Sequence, residues 1–281
     1  MIKTISMLAL ASVAYASPAA SQQFGPWQSP INVNDYPASG AVNTPAPEGC
    51  PILDPYTQDL FIASPRDGTI GSLDIWRATW NGDGWDTPDN LGGPINTVDA
   101  EFCPTPTRGR WLYFVRRDGG GDSDIFRAKL LPQGEISQPT RLSMQVNSNA
   151  DEWSPSIYEH NGDTVLHFSS TRDGGQHDVY YSVNFGPAKK APGLANPGID
   201  EARPNIRRDG LEIVFDSGGD VYTSSRASVY DDWSAPVKID IVSTPAGESR
   251  ASLSWDGTMM IYGSGGDIFV ATRKKVTGKT K

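Results

Sequence analysis

Five short apolar-aromatic runs punctuate the chain at near-regular intervals: "DLFIAS" (59–64), "WLYFVR" (111–116), "TVLHFS" (164–169), "EIVFDS" (212–217) and "MMIYGS" (259–264). Each is too short for a helix and rich in β-branched or aromatic residues, which predicts a buried strand. A shorter strand led by a glutamate precedes each run, usually through a turn such as "RRDG" (207–210) or "SWDG" (254–257). A Gly-rich turn follows, and then an Asp-aliphatic-aromatic strand: Asp74-Ile75-Trp76, Asp124-Ile125-Phe126, Asp178-Val179-Tyr180, Asp220-Val221-Tyr222 and Asp267-Ile268-Phe269. A fourth, outer strand follows a W-x-x-P signature, at Trp85 to Pro88 and Trp233 to Pro236, with Ile136 to Pro139 as a weaker copy.

The leading glutamates are Glu48, Glu101, Glu152, Glu201 and Glu248, so the intervals are 53, 51, 49 and 47 residues. A drifting period of about fifty suits four strands per unit and loops of varying length. The fifth unit ends after its third strand. Its missing signature stands at the N-terminus as Trp27-Gln28-Ser29-Pro30, followed by "GAVNT" (40–44), an echo of "GPINT" (93–97). The pattern therefore predicts an all-β, five-bladed β-propeller, with blades starting near 47, 100, 151, 200 and 247. An N-terminal strand near 25–44 closes the last blade, and radial repetition leaves no long bare sheet edge.

The grammar resembles the TolB-type, WD-like propeller repeat, whose unit reads roughly P-x-x-SPDG, apolar strand, S-x-R-x-G-x-x-DIY. The resemblance covers nearly all of the chain beyond its leader. It implies the propeller fold and leaves function open, since such repeats serve in envelope scaffolds, periplasmic binding proteins, peptidase-associated propellers and polysaccharide-degrading enzymes.

Composition narrows the setting. The net charge of −9 disfavours nucleic acid and anionic membranes as partners. Residues 1–21 read as a secretory signal peptide: Lys3, an apolar run from Ile5 to Ala16, and small-residue cleavage candidates at Ala14-Tyr15-Ala16 and Ala19-Ala20-Ser21. No later stretch is apolar enough to span a bilayer. The expected product is a secreted or periplasmic monomer, with the propeller over 22–276 and a basic tail at 277–281. Export permits a disulfide, and Cys50 and Cys103 occupy the same repeat position on adjacent blades. They pair across blades one and two, or remain two buried thiols.

Propeller topology gathers the repeated glutamates at one channel mouth, together with the loops "SPRDG" (64–68), "RRDGGG" (116–121) and "TRDGG" (171–175). These loops bring Arg66, Arg116 or Arg117, and Arg172. Units four and five have shorter loops and carry Arg203 and Arg250 two residues after the glutamate, where the others have Cys50, Cys103 and Ser154. Converging carboxylates need counter-charge, and one left without it becomes a general acid candidate. Two functions follow. A glycoside hydrolase-like enzyme would use Glu152 with Glu101 or Glu201 as catalytic carboxylates. Its substrate contacts would come from Trp153, Arg172, Arg203, Arg250, Glu48 and Glu248. Alternatively, a non-catalytic propeller would hold a glycan, a small molecule or an envelope protein on the loop face, the glutamates then serving to hold neighbouring blades. A channel Ca²⁺ is a third use for the oxygens. No zinc spacing, nucleophile elbow or phosphate loop is present.

Overall fold

Each fifty-residue unit forms a four-stranded antiparallel meander. The computed structural model of the protein describes residues 23–194 and 200–276. The expected signal peptide and basic tail lie outside the described residues.

Blade one comprises Gly49–Leu53, Leu60–Ser64, Asp74–Ala78 and Asp89–Asn90. Blade two follows with Ala100–Pro106, Trp111–Arg117, Ser123–Lys129 and Thr140–Arg141. Blade three contains Glu152–His160, Asp163–Ser170, Asp178–Val183 and Lys189–Lys190. Blade four contains Glu201–Ile206, Glu212–Ser217, Asp220–Ser225 and Val237–Lys238. Blade five takes Glu248–Leu253, Met259–Ser264 and Asp267–Thr272 from the C-terminal end, and Ile31–Asn32 from the N-terminal end. Ile31 faces Val270 and Asn32 faces Phe269, so the ring closes through antiparallel pairing of the two chain ends. A further pair, Gln23–Phe24 with Lys275–Val276, reinforces that closure.

The second strands are the core. Leu60, Ile62, Leu112, Phe114, Leu166, Phe168, Ile213 and Phe215 are wholly buried, because a propeller blade packs both faces against neighbours and the apolar runs need not alternate. The W-x-x-P signature has a local reason. Trp85 is buried, with its Nε1 donating to Gln58 O at 2.9 Å, and the outer strand starts directly after Pro88. Proline is tolerated at an outer-strand start, where no partner requires its missing N–H.

Two constructions define the axis. Each innermost strand has a bulge in its register two or three residues after the glutamate position, and the residue there takes positive φ: Cys50 (49°), Cys103 (48°), Ser154 (57°), Arg203 (53°) and Arg250 (47°). Left-handed backbone is costly for residues with a Cβ, and bulges re-aim side chains. Here they turn five side chains toward the axis. The second construction is a ring of links between adjacent innermost strands. Cys50 and Cys103 are disulfide-bonded across blades one and two. Thr105 Oγ1 donates to Pro155 O, Ser156 Oγ accepts from Ile206 N, Asn205 Oδ1 accepts from Leu253 N, and Ser252 Oγ donates to Pro51 O. Each of the five junctions thus has at least one link.

Candidate functional site

The ring glutamates are buried, and their partners come from the preceding loop and from the end of the second strand or the turn after it. Glu152 accepts from Ser148 N at 2.8 Å, from Ser148 Oγ, from Ser170 Oγ at 2.7 Å and from Arg172 Nη2 at 3.1 Å. Glu101 accepts from Thr97 N (2.9 Å), Thr97 Oγ1 (2.6 Å) and Arg116 Nε (2.7 Å). Glu48 repeats the set with Thr44, Ser64 and Arg66, and Glu248 repeats it with Thr244 and Ser264. Glu201 is also fully buried, and its backbone N–H donates to His177 O at 2.9 Å. The loop arginines complete these clamps. Arg66, Arg116 and Arg172 each reach a carbonyl of the incoming loop, and each stacks on an aromatic ring of the third strand: Trp76, Phe126 and Tyr180.

A sequence signal for this arrangement exists in N-[ST]-x-x-x-E, present at 43–48, 96–101 and 147–152. The Ser or Thr and its own N–H bind the glutamate. The Asn amide brackets the aliphatic residue of the third strand: Asn96 accepts from Ile75 N and donates to Ile75 O, and Asn43 and Asn147 do the same to Ile268 and Ile125.

Of the remaining expected contacts, Arg250 is fully buried, whereas Trp153 and Arg203 are half-buried. Trp153 packs against Phe102 (5.9 Å between centroids) and His177 (4.3 Å), under the guanidiniums of Arg117 and Arg203. Arg203 pairs with Asp216, a buried carboxyl raised above its ordinary range by burial, against the opposing pull of Arg203. Arg250 presents its backbone N–H to the same carboxylate at 3.0 Å. Its side chain then runs along the axis and donates from Nη2 to Thr105 Oγ1 at 3.0 Å and Pro155 O at 3.2 Å. Burial lowers the Arg250 pKa to about 9. With the disulfide and Ser154, whose Oγ donates to Cys103 Sγ at 3.1 Å, Arg250 plugs the channel.

The oxygens here do not fit the Ca²⁺ expected in the channel. They already accept from hydroxyls, amides and guanidiniums, and among the described residues no three His, Cys, Asp or Glu side chains are grouped to hold a metal.

The plug makes the opposite end of the axis a closed funnel of about 340 Å³, to which every blade contributes. Its walls are the far ends of the innermost strands and the turns that follow them. Ile52, Leu53, Ile157, Ile206 and Leu253 give apolar surface, while Thr105, Ser156 and Asn205 line the polar side. Asn205 uses Oδ1 on Leu253 N, and its Nδ2 donates to no described residue. At the mouth stands Trp255, half-buried, with the Arg108 and Arg208 guanidinium carbons 4.6 and 5.4 Å from its ring centroid. The "SWDG" and "RRDG" turns carry Trp255 and Arg208, and the turn "TRGR" (107–110) carries Arg108, but as turn grammar they offered no sign that they share a cavity.

No protein-family model matches the chain, and no curated protein matches it in sequence. The TolB-type resemblance is carried by the repeat grammar alone. Solved structures do match. A thermostable family-43 glycoside hydrolase superposes with a TM-score of 0.58 at 11% identity, covering 87% of this chain and 93% of that one. The α-L-arabinofuranosidase of Lactobacillus brevis gives 0.53 at 12% identity, over 89% and 95% of the two chains. The Penicillium chrysogenum α-L-arabinanase complexed with arabinobiose gives 0.52 at 12%, over 88% and 83%. The chain is thus a five-bladed β-propeller similar in fold to propeller glycoside hydrolases, at an identity that speaks for the fold alone.

Proposed function

We propose that the protein is an exported, carbohydrate-binding propeller whose ligand occupies the axial funnel and is not cleaved by the ring glutamates. The observation that carries the reading is the funnel: all five blades line it, Thr105 of its wall bonds the buried Arg250, and Trp255 and Asn205 are among its lining residues. A volume of about 340 Å³ lies in the range of small-ligand sites. Apolar strand ends beside short polar groups suit a sugar ring, which needs both apolar contact and hydrogen-bond partners. The likeness to an arabinanase and an arabinofuranosidase supports carbohydrate as the ligand class at the level of fold.

That same likeness favours a second reading, a hydrolase with Glu152 and either Glu101 or Glu201 as its carboxylate pair. In that reading Trp153, Arg172, Arg203, Arg250, Glu48 and Glu248 contact substrate. It requires the carboxylates to release the loop groups that now saturate Glu48, Glu101, Glu152 and Glu248 before meeting a glycosidic bond.

One experiment separates the two. Calorimetric titration and a reducing-sugar assay are run over a panel of oligosaccharides with wild type, Trp255→Ala and Glu152→Gln, folding being monitored by circular dichroism. Binding lost in Trp255→Ala, kept in folded Glu152→Gln and accompanied by no turnover supports the binding reading. Turnover that disappears in folded Glu152→Gln and survives in Trp255→Ala overturns it in favour of the hydrolase.

A further inference from the structure

We infer that the funnel selects a sugar bearing a carboxylate, a uronate unit within an oligosaccharide; this rests on the carbohydrate-binding reading above. The charged groups among its lining residues are Arg108, Arg208 and Glu159. Neither arginine forms an ion pair with any described residue, and both are exposed at the mouth. The nearby turn carboxylates are occupied elsewhere. Asp209 is held by Arg207 at 2.9 Å and by the Leu211 N–H at 3.0 Å. Asp256 accepts from Ser254, Thr258 and Lys275. The lining therefore has an excess of one positive charge in a chain of net charge −9. Below the floor, Arg250 is fully buried, with Nε and Nη1 lacking hydrogen-bond partners among the described residues. Its field adds to that of the rim, and a concave site of one sign focuses potential on a ligand of the other.

Geometry favours a carboxylate. A guanidinium lying over an indole keeps its N–H edge free, and that planar fork matches the two oxygens of a carboxylate. Glu159 sets the limit on charge. It disfavours a dianion such as a phosphate monoester and remains an acceptor for a sugar hydroxyl, while Asn205 Nδ2 supplies a donor. A ligand with one negative charge and flanking hydroxyls satisfies these groups together.

Matched neutral and uronate disaccharides of the gluco, galacto and manno series test the inference by calorimetry at low and moderate salt. The proteins are wild type, Arg108→Ala/Arg208→Ala and Glu159→Gln, with circular dichroism confirming the fold of these surface variants. At least one uronate should bind wild type about tenfold or more tighter than its neutral partner, the size expected for charge-assisted pairing. Added salt should narrow that ratio. The double variant should bring that ratio near one. Glu159→Gln should raise uronate affinity. Equal binding of neutral and acidic sugars overturns the inference and leaves the carbohydrate reading standing. Absence of binding by every sugar overturns both, as does preferential binding of an acidic peptide used as control.

Discussion

Arg250 Nη2 lies 3.0 Å from Thr105 Oγ1, a contact between blade five and blade two across 145 positions of sequence. The same hydroxyl donates to Pro155 O, so one threonine joins blades two, three and five on the axis. Thr105→Val keeps the shape and removes the hydroxyl, leaving the buried guanidinium with Pro155 O as its remaining contact. The expected loss is about 1–3 kcal/mol, the cost of a buried polar group left short of partners. Urea unfolding of the variant checks it; an unchanged midpoint would show that the plug adds nothing to stability.

Glu152 and Glu101 behave as clamps in this geometry. Glu152→Gln leaves Arg172 facing a neutral amide, and the expected destabilisation is about 2–4 kcal/mol, near the range for breaking a buried ion pair. Glu101→Gln, against Arg116, should cost a similar amount. Thermal or denaturant melts of the two variants measure this. Wild-type stability in either would free that glutamate for another task.

The disulfide joins two positions 53 residues apart, at an inner-strand junction where no side-chain hydrogen bond links the strands among the described residues. The chain-entropy relation puts its contribution at about 4 kcal/mol. Replacing both cysteines with serine, or unfolding in reductant, should lower the denaturation midpoint by equivalent amounts. Agreement between the two treatments is the check.

His167 is completely buried among Tyr158, Tyr181 and Trp233, with Nδ1 unpaired among the described residues. Burial, and secondarily the Arg226 charge, lowers its pKa from 6.5 to about 3. Below pH 6.5 the unfolded chain binds a proton that the folded protein refuses, so stability falls as pH drops from about 6.5 toward 3. The size of this contribution is on the order of 4–5 kcal/mol at the acid end. His167→Phe keeps an aromatic ring in place and titrates nothing. It should match or exceed wild-type stability at pH 7 and flatten the acid limb of a stability-pH curve. Parallel curves for variant and wild type would refute the assignment.

Much of the architecture can be read from the repeat. The position of each second strand, the W-x-x-P entry to the outer strand and the N-terminal closure at Ile31–Asn32 follow from patterns a few residues long. The candidate site is less legible. Glu48, Glu101, Glu152, Glu201 and Glu248 signal a shared position without revealing its use. The Asn and Ser or Thr upstream of three of them hold the clue, since such side chains bond locally to backbone and carboxylates. Trp255, Arg108 and Arg208 look like ordinary turn residues until blades five, two and four bring them to one mouth.

The sequence by itself determined the blade count and the strand order, because strand alternation and turn chemistry act over a few residues and recur five times, whereas the pairing of Cys50 with Cys103 was left open until the structure joined them. Only the tertiary structure decided which carboxylates are consumed and which end of the axis stays open. Those outcomes depend on where five left-handed bulge residues aim their side chains, and on bonds between residues 50 to 200 positions apart. No local pattern encodes a direction in space. It appears once the ring has closed.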